Sequence, residues 1–252
     1  MFLKIENLKV HYKVAGQGKP LVLLHGWGCS AQHLASLQKH LAQRFTTYAI
    51  DLPGFGLSSP PAALWGSMEY AKLLAQFIKI NKLVEPVLVG HSFGGKIILN
   101  LVAHSLVKTK KIVLISSAGV RLKRSVRLKL KVYFFKFVKF LMRLPLLKNL
   151  WGVQLELYKN KFGSADYRSA SGQLRTILVK ITNEDLTALL AQIKVPTLLL
   201  WGDKDISTPL RAGQIMQQKI LGSQLLVFAG SGHFPMHDNY SAVVKALDEF
   251  LE

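Results

Sequence analysis

The sequence predicts an α/β protein in which a mostly parallel sheet is covered by helices, and three observations predict it. Short apolar runs without alternation recur, as strands buried on both faces of a parallel sheet require: Leu21-Val22-Leu23-Leu24, Val87-Leu88-Val89, Ile112-Val113-Leu114-Ile115 and Leu198-Leu199-Leu200-Trp201. Segments of helical periodicity lie between them. The run ending at Val89 passes through Gly90-His91-Ser92-Phe93-Gly94 into a helix-like run from Lys96 to Val102, which is a strand-to-helix elbow.

The remaining elements follow in order. Phe2 to Val14, before Gly16-Gln17-Gly18, alternates as a hairpin that would supply an antiparallel edge. Ser30 to Arg44 carries Leu34, Leu37 and Leu41 on one helical face, and Ser67 to Lys82 carries Ala71, Leu74 and Ile78. Beyond the strand at Val195 come a helix from Pro209 to Ile220, opening on a proline tolerated in a first turn, a strand from Gln224 to Phe228, and a helix from Ser241 to Leu251. Val120 to Thr187 breaks this rhythm and is too long for one crossover. The expected organisation is therefore a core of residues 1–119 and 188–252, interrupted by an insertion at 120–187.

Composition bounds the environment. With 252 residues, half of them apolar, the chain can build one large core with a small insertion. Its one cysteine, Cys29, excludes an intrachain disulfide. The alternating N-terminus lacks an apolar stretch of signal-peptide length, so a reducing, cytoplasmic location is the expectation, with the inner membrane surface as a peripheral alternative. The net charge of +19 is concentrated in the insertion, where Arg121, Lys123, Arg124, Arg127, Lys129, Lys131, Lys136, Lys139, Arg143 and Lys148 precede the first acidic residue, Glu156. A helical projection of 129–144 places Lys129, Lys136, Lys139 and Arg143 on one stripe. Tyr133, Phe134, Phe137, Phe140, Leu141 and Leu144 fall on a broad apolar face. Three readings stand: a helix burying its aromatics with its cations in water, attraction to an anionic membrane, or docking of an acidic protein such as an acyl carrier. Nucleic acid is disfavoured, because no reading module accompanies the charge.

Ser92 is the candidate nucleophile. A Gly-x-Ser-x-Gly pattern alone arises by chance about once per dozen chains of this length, and a serine that only caps a helix would look the same, so context must carry the assignment. Serine needs a histidine base, a carboxylate to orient that base, and donors for an oxyanion. Downstream, the strand ending at Trp201 leads into Gly202-Asp203-Lys204-Asp205, and the next strand leads into Gly230-Ser231-Gly232-His233. Upstream, His25-Gly26-Trp27-Gly28 forms a tight turn that could present the Trp27 amide beside the elbow.

With Asp51-Leu52-Pro53-Gly54-Phe55-Gly56-Leu57-Ser58 added, these motifs resemble the α/β-hydrolase superfamily in content and order, from about Phe2 to the C-terminus. The resemblance implies an eight-stranded-type, mostly parallel sheet with an inserted helical lid. It implies a serine carboxylesterase using Ser92 as nucleophile, His233 as base and then acid, and Asp205 as the orienting carboxylate. The backbone amides of Trp27 and Phe93 would be the oxyanion donors, and no cofactor or metal is implied. Asp203 is the competing carboxylate, otherwise a capping residue. Pocket candidates are His25, Tyr133, Phe137 and Phe234, although His25 also reads as a residue that holds its loop by hydrogen bonds. His91 reads as packing, His237 and Asp238 as surface or turn residues, and Met216 and Met236 as core or pocket filler. Lactones, including acylated homoserine lactones, fit the same chemistry, and some carboxylesterases of this superfamily accept carrier-bound acyl chains through basic lid residues. Serine at 92 argues against relatives that attack through aspartate. Carbon–carbon bond hydrolysis, perhydrolysis and a non-catalytic ligand- or membrane-binding protein are the alternatives.

Overall fold

Parallel pairing organises the structure, a computed structural model that describes residues 1–122 and 165–252. The chain divides into two units, Met1–Arg121 with Val179–Glu252, and Leu122–Leu178. The expectations for Tyr133, Phe137 and the basic stripe from Lys129 to Arg143 fall outside the described residues.

In the first unit, β1 (Phe2–Ile5), β2 (Leu8–Ala15), β3 (Lys19–Leu24), β4 (Phe45–Ile50), β5 (Val87–His91), β6 (Ile112–Ile115), β7 (Thr197–Gly202) and β8 (Gln224–Phe228) form one sheet. Their order is β1-β2-β4-β3-β5-β6-β7-β8. β1 and β2 pair antiparallel, as do β2 and β4, and the other pairs are parallel. The hairpin thus supplies the antiparallel edge. β5, β6 and β7 are buried along their full lengths, which explains why their sequences do not alternate.

The helices differ in detail from the sequence expectation. The segment from Ser30 starts with a 3₁₀ turn, Ala31–Leu34, before α1 (Ala35–Leu41), and the Asp51 carboxylate holds the Ala31 N–H at 2.7 Å. α2 (Ser67–Ile80) stops short of Lys82 because the Asn81 side chain donates to the Phe77 carbonyl at 2.9 Å and Lys82 turns left-handed at φ 53°. α3 (Phe93–Ala103) is buried at every position, so it is apolar around most of its circumference. The second unit contains α4 (Ala165–Ser169) and most of α5 (Gly172–Asn183), joined by a hydrogen bond from Arg175 Nε to the Ala170 carbonyl at 2.8 Å. α6 (Leu210–Lys219), a short α7 (Pro235–Asp238) and α8 (Tyr240–Leu251) complete the first unit. Among the described residues, no helix is long and apolar enough to cross a membrane.

Register is what this fold contributes to function. Leu24 lies opposite both Ile50 and Gly90, Gly90 opposite Leu114, Ile115 opposite Leu200, and Gly202 opposite Phe228. The loops after β3, β5, β7 and β8 therefore leave the same edge of the sheet, where ligands of open α/β folds gather.

The elbow after β5 is built by close approach. A Cβ on Gly90 would stand 2.6 Å from the Gly94 carbonyl carbon, and one on Gly94 would stand 2.4 Å from the Leu24 carbonyl oxygen in β3. Both obstacles are backbone and cannot swing away. Gly94→Ala is expected to lose about 2 kcal/mol or more of stability through overpacking, read as a lower urea midpoint at unchanged slope.

Candidate active site

Ser92 sits between β5 and α3 with φ 51° and ψ −108°, a conformation L-residues avoid unless their surroundings impose it. Hydrogen bonds on both sides impose it: the Ser92 N–H donates to the Ile115 carbonyl at 2.9 Å, and its carbonyl accepts from Ala118 at 3.0 Å and Lys96 at 3.2 Å. The side chain is half-buried. Phe93 opens α3, so its N–H has no acceptor within the helix.

The turn after β3 packs directly on this elbow. A Cβ on Gly26 would lie 2.8 Å from His91 Nδ1 and 3.3 Å from Ser92 Cβ. The Trp27 ring meets Phe93 at 5.5 Å and Phe55 at 4.8 Å, both edge-on. Tyr70 meets Phe93 at 5.0 Å and donates its hydroxyl to the Pro53 carbonyl at 3.1 Å. Among the described residues, neither the Trp27 nor the Phe93 amide has a hydrogen-bond acceptor. Both amides flank the elbow.

The structure brings Asp205, not Asp203, to His233. Asp205 Oδ2 accepts from His233 Nδ1 at 2.8 Å, which fixes the tautomer with the proton on Nδ1. Its other oxygen accepts the Ser207 and Thr208 N–H groups at 2.8 and 2.9 Å, and the Thr208 hydroxyl lies 2.8 Å from Oδ2. Burial raises the affinity of Asp205 for a proton, but the bonds from His233 and Thr208 outweigh it, and its carboxyl stays below the usual range. Asp203 is committed elsewhere, accepting the Gly230 N–H at 2.7 Å. Asp238 accepts the Gly232 N–H at 2.8 Å and so steadies the turn before His233, while His237 is exposed.

Of the two readings of His25 the loop-holding one stands and the pocket one does not, and His91 corrects its reading as packing alone. His25 cannot line a pocket: it is 0% exposed, its Nδ1–H donates to the Gly26 carbonyl at 2.7 Å, and its Nε2 accepts the Leu52 N–H at 3.0 Å. It joins the turn at Trp27 to the loop at Leu52. His91 does more than pack, because its Nε2–H donates to the His233 carbonyl at 2.9 Å and its ring lies 4.8 Å from the His233 ring. Burial pulls His25 down to about 4 and His91 down to about 3, the His233 charge also acting on His91. Phe234 lies half-buried between His91, at 4.8 Å, and His233, at 5.3 Å. Met216 and Met236 are fully buried and belong to the core.

Thr208, Tyr70 and Phe55 escaped sequence reasoning. Only Thr208 had a usable signal, since an acid followed at two and three residues by Ser207 and Thr208 is a pattern for a carboxylate that accepts its own downstream amides. Among the described residues, no three His, Cys, Asp or Glu side chains are grouped as metal ligands would be.

The family model described as alpha/beta hydrolase fold matches residues 19–240. The chain belongs to this family. It is 29% identical over 250 residues to a pimeloyl-(acyl-carrier protein) methyl ester esterase of Legionella pneumophila strain Corby, covering 97% of this chain and 100% of the relative. Among solved structures, it is similar to the esterase EaEST from Exiguobacterium antarcticum, with a TM-score of 0.77, 24% identity, and 99% and 98% of the two chains covered. It is also similar to Est816, described as an N-acyl homoserine lactone degrading enzyme, with a TM-score of 0.75, 22% identity, and 99% and 100% covered.

The neutral histidines carry a pH signature. Unfolded, each binds a proton near 6.5; folded, neither does until the pH reaches about 4 for His25 and about 3 for His91. Stability is therefore unaffected by these groups above about 6.5 and falls below it by about 1.4 kcal/mol per pH unit for each. His91→Gln, whose amide can still donate to the His233 carbonyl, is expected to lessen that slope by about 1.4 kcal/mol per unit between pH 6 and 4, measured by urea unfolding.

Proposed function

We infer that this protein is a carboxylic-ester hydrolase working through Ser92, His233 and Asp205. The observation that carries this reading is the 2.8 Å bond from His233 Nδ1 to a buried Asp205 carboxylate, on the sheet edge that also holds the Ser92 elbow. His233 Nε2 takes the Ser92 proton as Oγ attacks the ester carbonyl. The Trp27 and Phe93 amides receive the oxyanion, His233 returns the proton to the departing alcohol, and water activated by His233 then releases the acid. Asp205 holds the tautomer and opposes the imidazolium charge without taking a proton. Residues 120–187 form the lid in this reading, with Phe234 at the pocket. Lactones, as cyclic esters, pass through the same steps, and the likeness to Est816 makes them a test substrate.

The test is a panel of p-nitrophenyl esters of increasing acyl length, run beside acyl homoserine lactones. Ser92→Ala is expected to lower turnover by on the order of 10⁴ or more while the protein stays folded. Asp205→Asn should cost on the order of 10³ or more, and Asp203→Asn less than about tenfold. Near-native turnover in Ser92→Ala would remove the assignment, and the reverse ranking of the aspartates would move the acid to Asp203.

A second reading concerns where the acyl group comes from. The Legionella relative acts, by its name, on an ester borne by an acyl-carrier protein, and this chain places ten cations between Arg121 and Lys148 without an acid. An acidic carrier is the complementary partner, and such charge acts mainly on encounter rate and is screened by salt. Replacing Lys129, Lys136, Lys139 and Arg143 with Gln is expected to lower kcat/KM for a carrier-borne ester at least about tenfold at low salt, with p-nitrophenyl acetate changed less than about twofold. Loss of sedimentation with anionic vesicles, without effect on the carrier-borne ester, would assign the stripe to a membrane instead.

A further inference from the structure

Lys96 stands four residues after Ser92 in the first turn of α3 and is 2% exposed. An ammonium in that position is costly unless it is paired. Its Nζ donates to the Ile181 carbonyl and, at 2.9 Å, to the Glu184 carbonyl, with the Glu184 carboxylate 3.8 Å away. These carbonyls lie at the end of α5, where the Ile181 carbonyl also accepts the Glu184 N–H at 3.2 Å and the helix dipole favours a cation.

The partners of Lys96 are themselves tied on both sides. The Glu184 carboxylate accepts the Ser67 N–H at 3.1 Å and the Ser67 hydroxyl, and Asn100, one turn further along α3, donates to that hydroxyl at 2.7 Å. On the other side, the Leu186 N–H donates to the Gly119 carbonyl at 2.8 Å, and the Arg121 N–H reaches the Asp185 carboxylate at 3.3 Å. The two stems by which the chain leaves the core at 119–121 and returns at 181–186 are thus joined to each other. Lys96 and the Ser67–Asn100 pair join them to α2 and α3.

We propose that Lys96 is a positioning residue, a latch holding the return stem of the insertion against α3, the helix that follows Ser92. It deepens the esterase reading by assigning a residue that sets the base of the insertion. Its own evidence is the geometry of the stems. The charged groups facing it are Glu184 and Asp185 on the return stem and Arg121 on the outgoing stem. Burial pulls the Lys96 ammonium from 10.5 down to about 8, helped by the Arg121 charge and opposed by Glu184 and Asp185.

In an opened stem the ammonium is solvated and titrates as an ordinary lysine. The open form therefore holds its proton more tightly, and closing releases a proton between about pH 8 and 10.5. By linkage the closed form gains up to about tenfold per pH unit in that window and is insensitive to pH just below it. The neutral amine keeps two N–H donors, enough for the Ile181 and Glu184 carbonyls.

Quenched-flow hydrogen exchange on the full chain from pH 7 to 9.5, corrected for the intrinsic rate, tests this. Protection of the Leu186 amide is expected to be flat to about pH 8 and then to rise by up to about tenfold per unit. The Ser116 amide, which donates to Leu200 at 2.9 Å inside the sheet, should show no such rise. Lys96→Arg, charged throughout this range, should remove the rise at Leu186. A flat profile at Leu186 in the parent protein, an equal rise at Ser116, or a rise that persists in Lys96→Arg would overturn the latch. The parent measurement needs no variant to fold, and none of the readouts uses turnover. Failure of the esterase reading would leave this exchange pattern intact, whereas failure of the latch would leave turnover by Ser92 intact.

Discussion

The close approach of three backbones at the end of β5 is the constraint on which the rest depends. β3, β5 and the first turn of α3 come so near that Gly90 and Gly94 have no space for a side chain. This contact forces Ser92 into its left-handed conformation and holds it there by backbone hydrogen bonds to Ile115 and Ala118. A strained residue persists only where its surroundings over-determine it. The interior of a parallel sheet, paired on both sides, supplies that rigidity, and a surface hairpin would not.

Electrostatic order around the site follows from burial. Asp205 keeps its charge because amides, a hydroxyl and the His233 ring replace the water it has lost. His25 and His91 meet the opposite fate, having no carboxylate bond to stabilise a second proton, and remain neutral. A neutral His91 suits a group lying 4.8 Å from the ring of His233, since a second cation there would oppose any positive charge forming on that ring. The same uncharged ring donates to the His233 backbone, so one residue both positions the loop and keeps the region free of competing charge. Lys96 resolves burial differently: it keeps access to two carbonyls and a carboxylate, and its protonation remains linked to the packing of the stems.

The aromatic residues near the elbow give these polar groups a firm floor. Phe55, Trp27, Phe93 and Tyr70 meet edge-on in succession, joining the loops after β3 and β4 to α2 and α3. Edge-on contacts fix ring orientation as well as excluding water. The turn that carries the Trp27 amide is therefore held by its side chain, by His25 beneath it, and by Asp51 through the Ala31 N–H.

The sequence by itself determined the α/β class, the Ser92 elbow and the order of Asp205 and His233, because these features are local. Unbroken apolar runs report strands buried on both faces, and glycines flanking a serine report close backbone approach. The helix ends at Ala31 and Ile80 were illegible because side chains and left-handed residues next to them, together with the distant Asp51, decide them. The resemblance of the motifs already favoured Asp205 over Asp203, and the tertiary structure supplied the physical reason, since two residues of spacing turn one carboxylate toward His233 and the other toward Gly230. Tertiary structure alone gave His25 and His91 their neutral roles and Lys96 its partners 85 and 88 residues away, since hydrogen bonds between distant loops leave no period in the sequence.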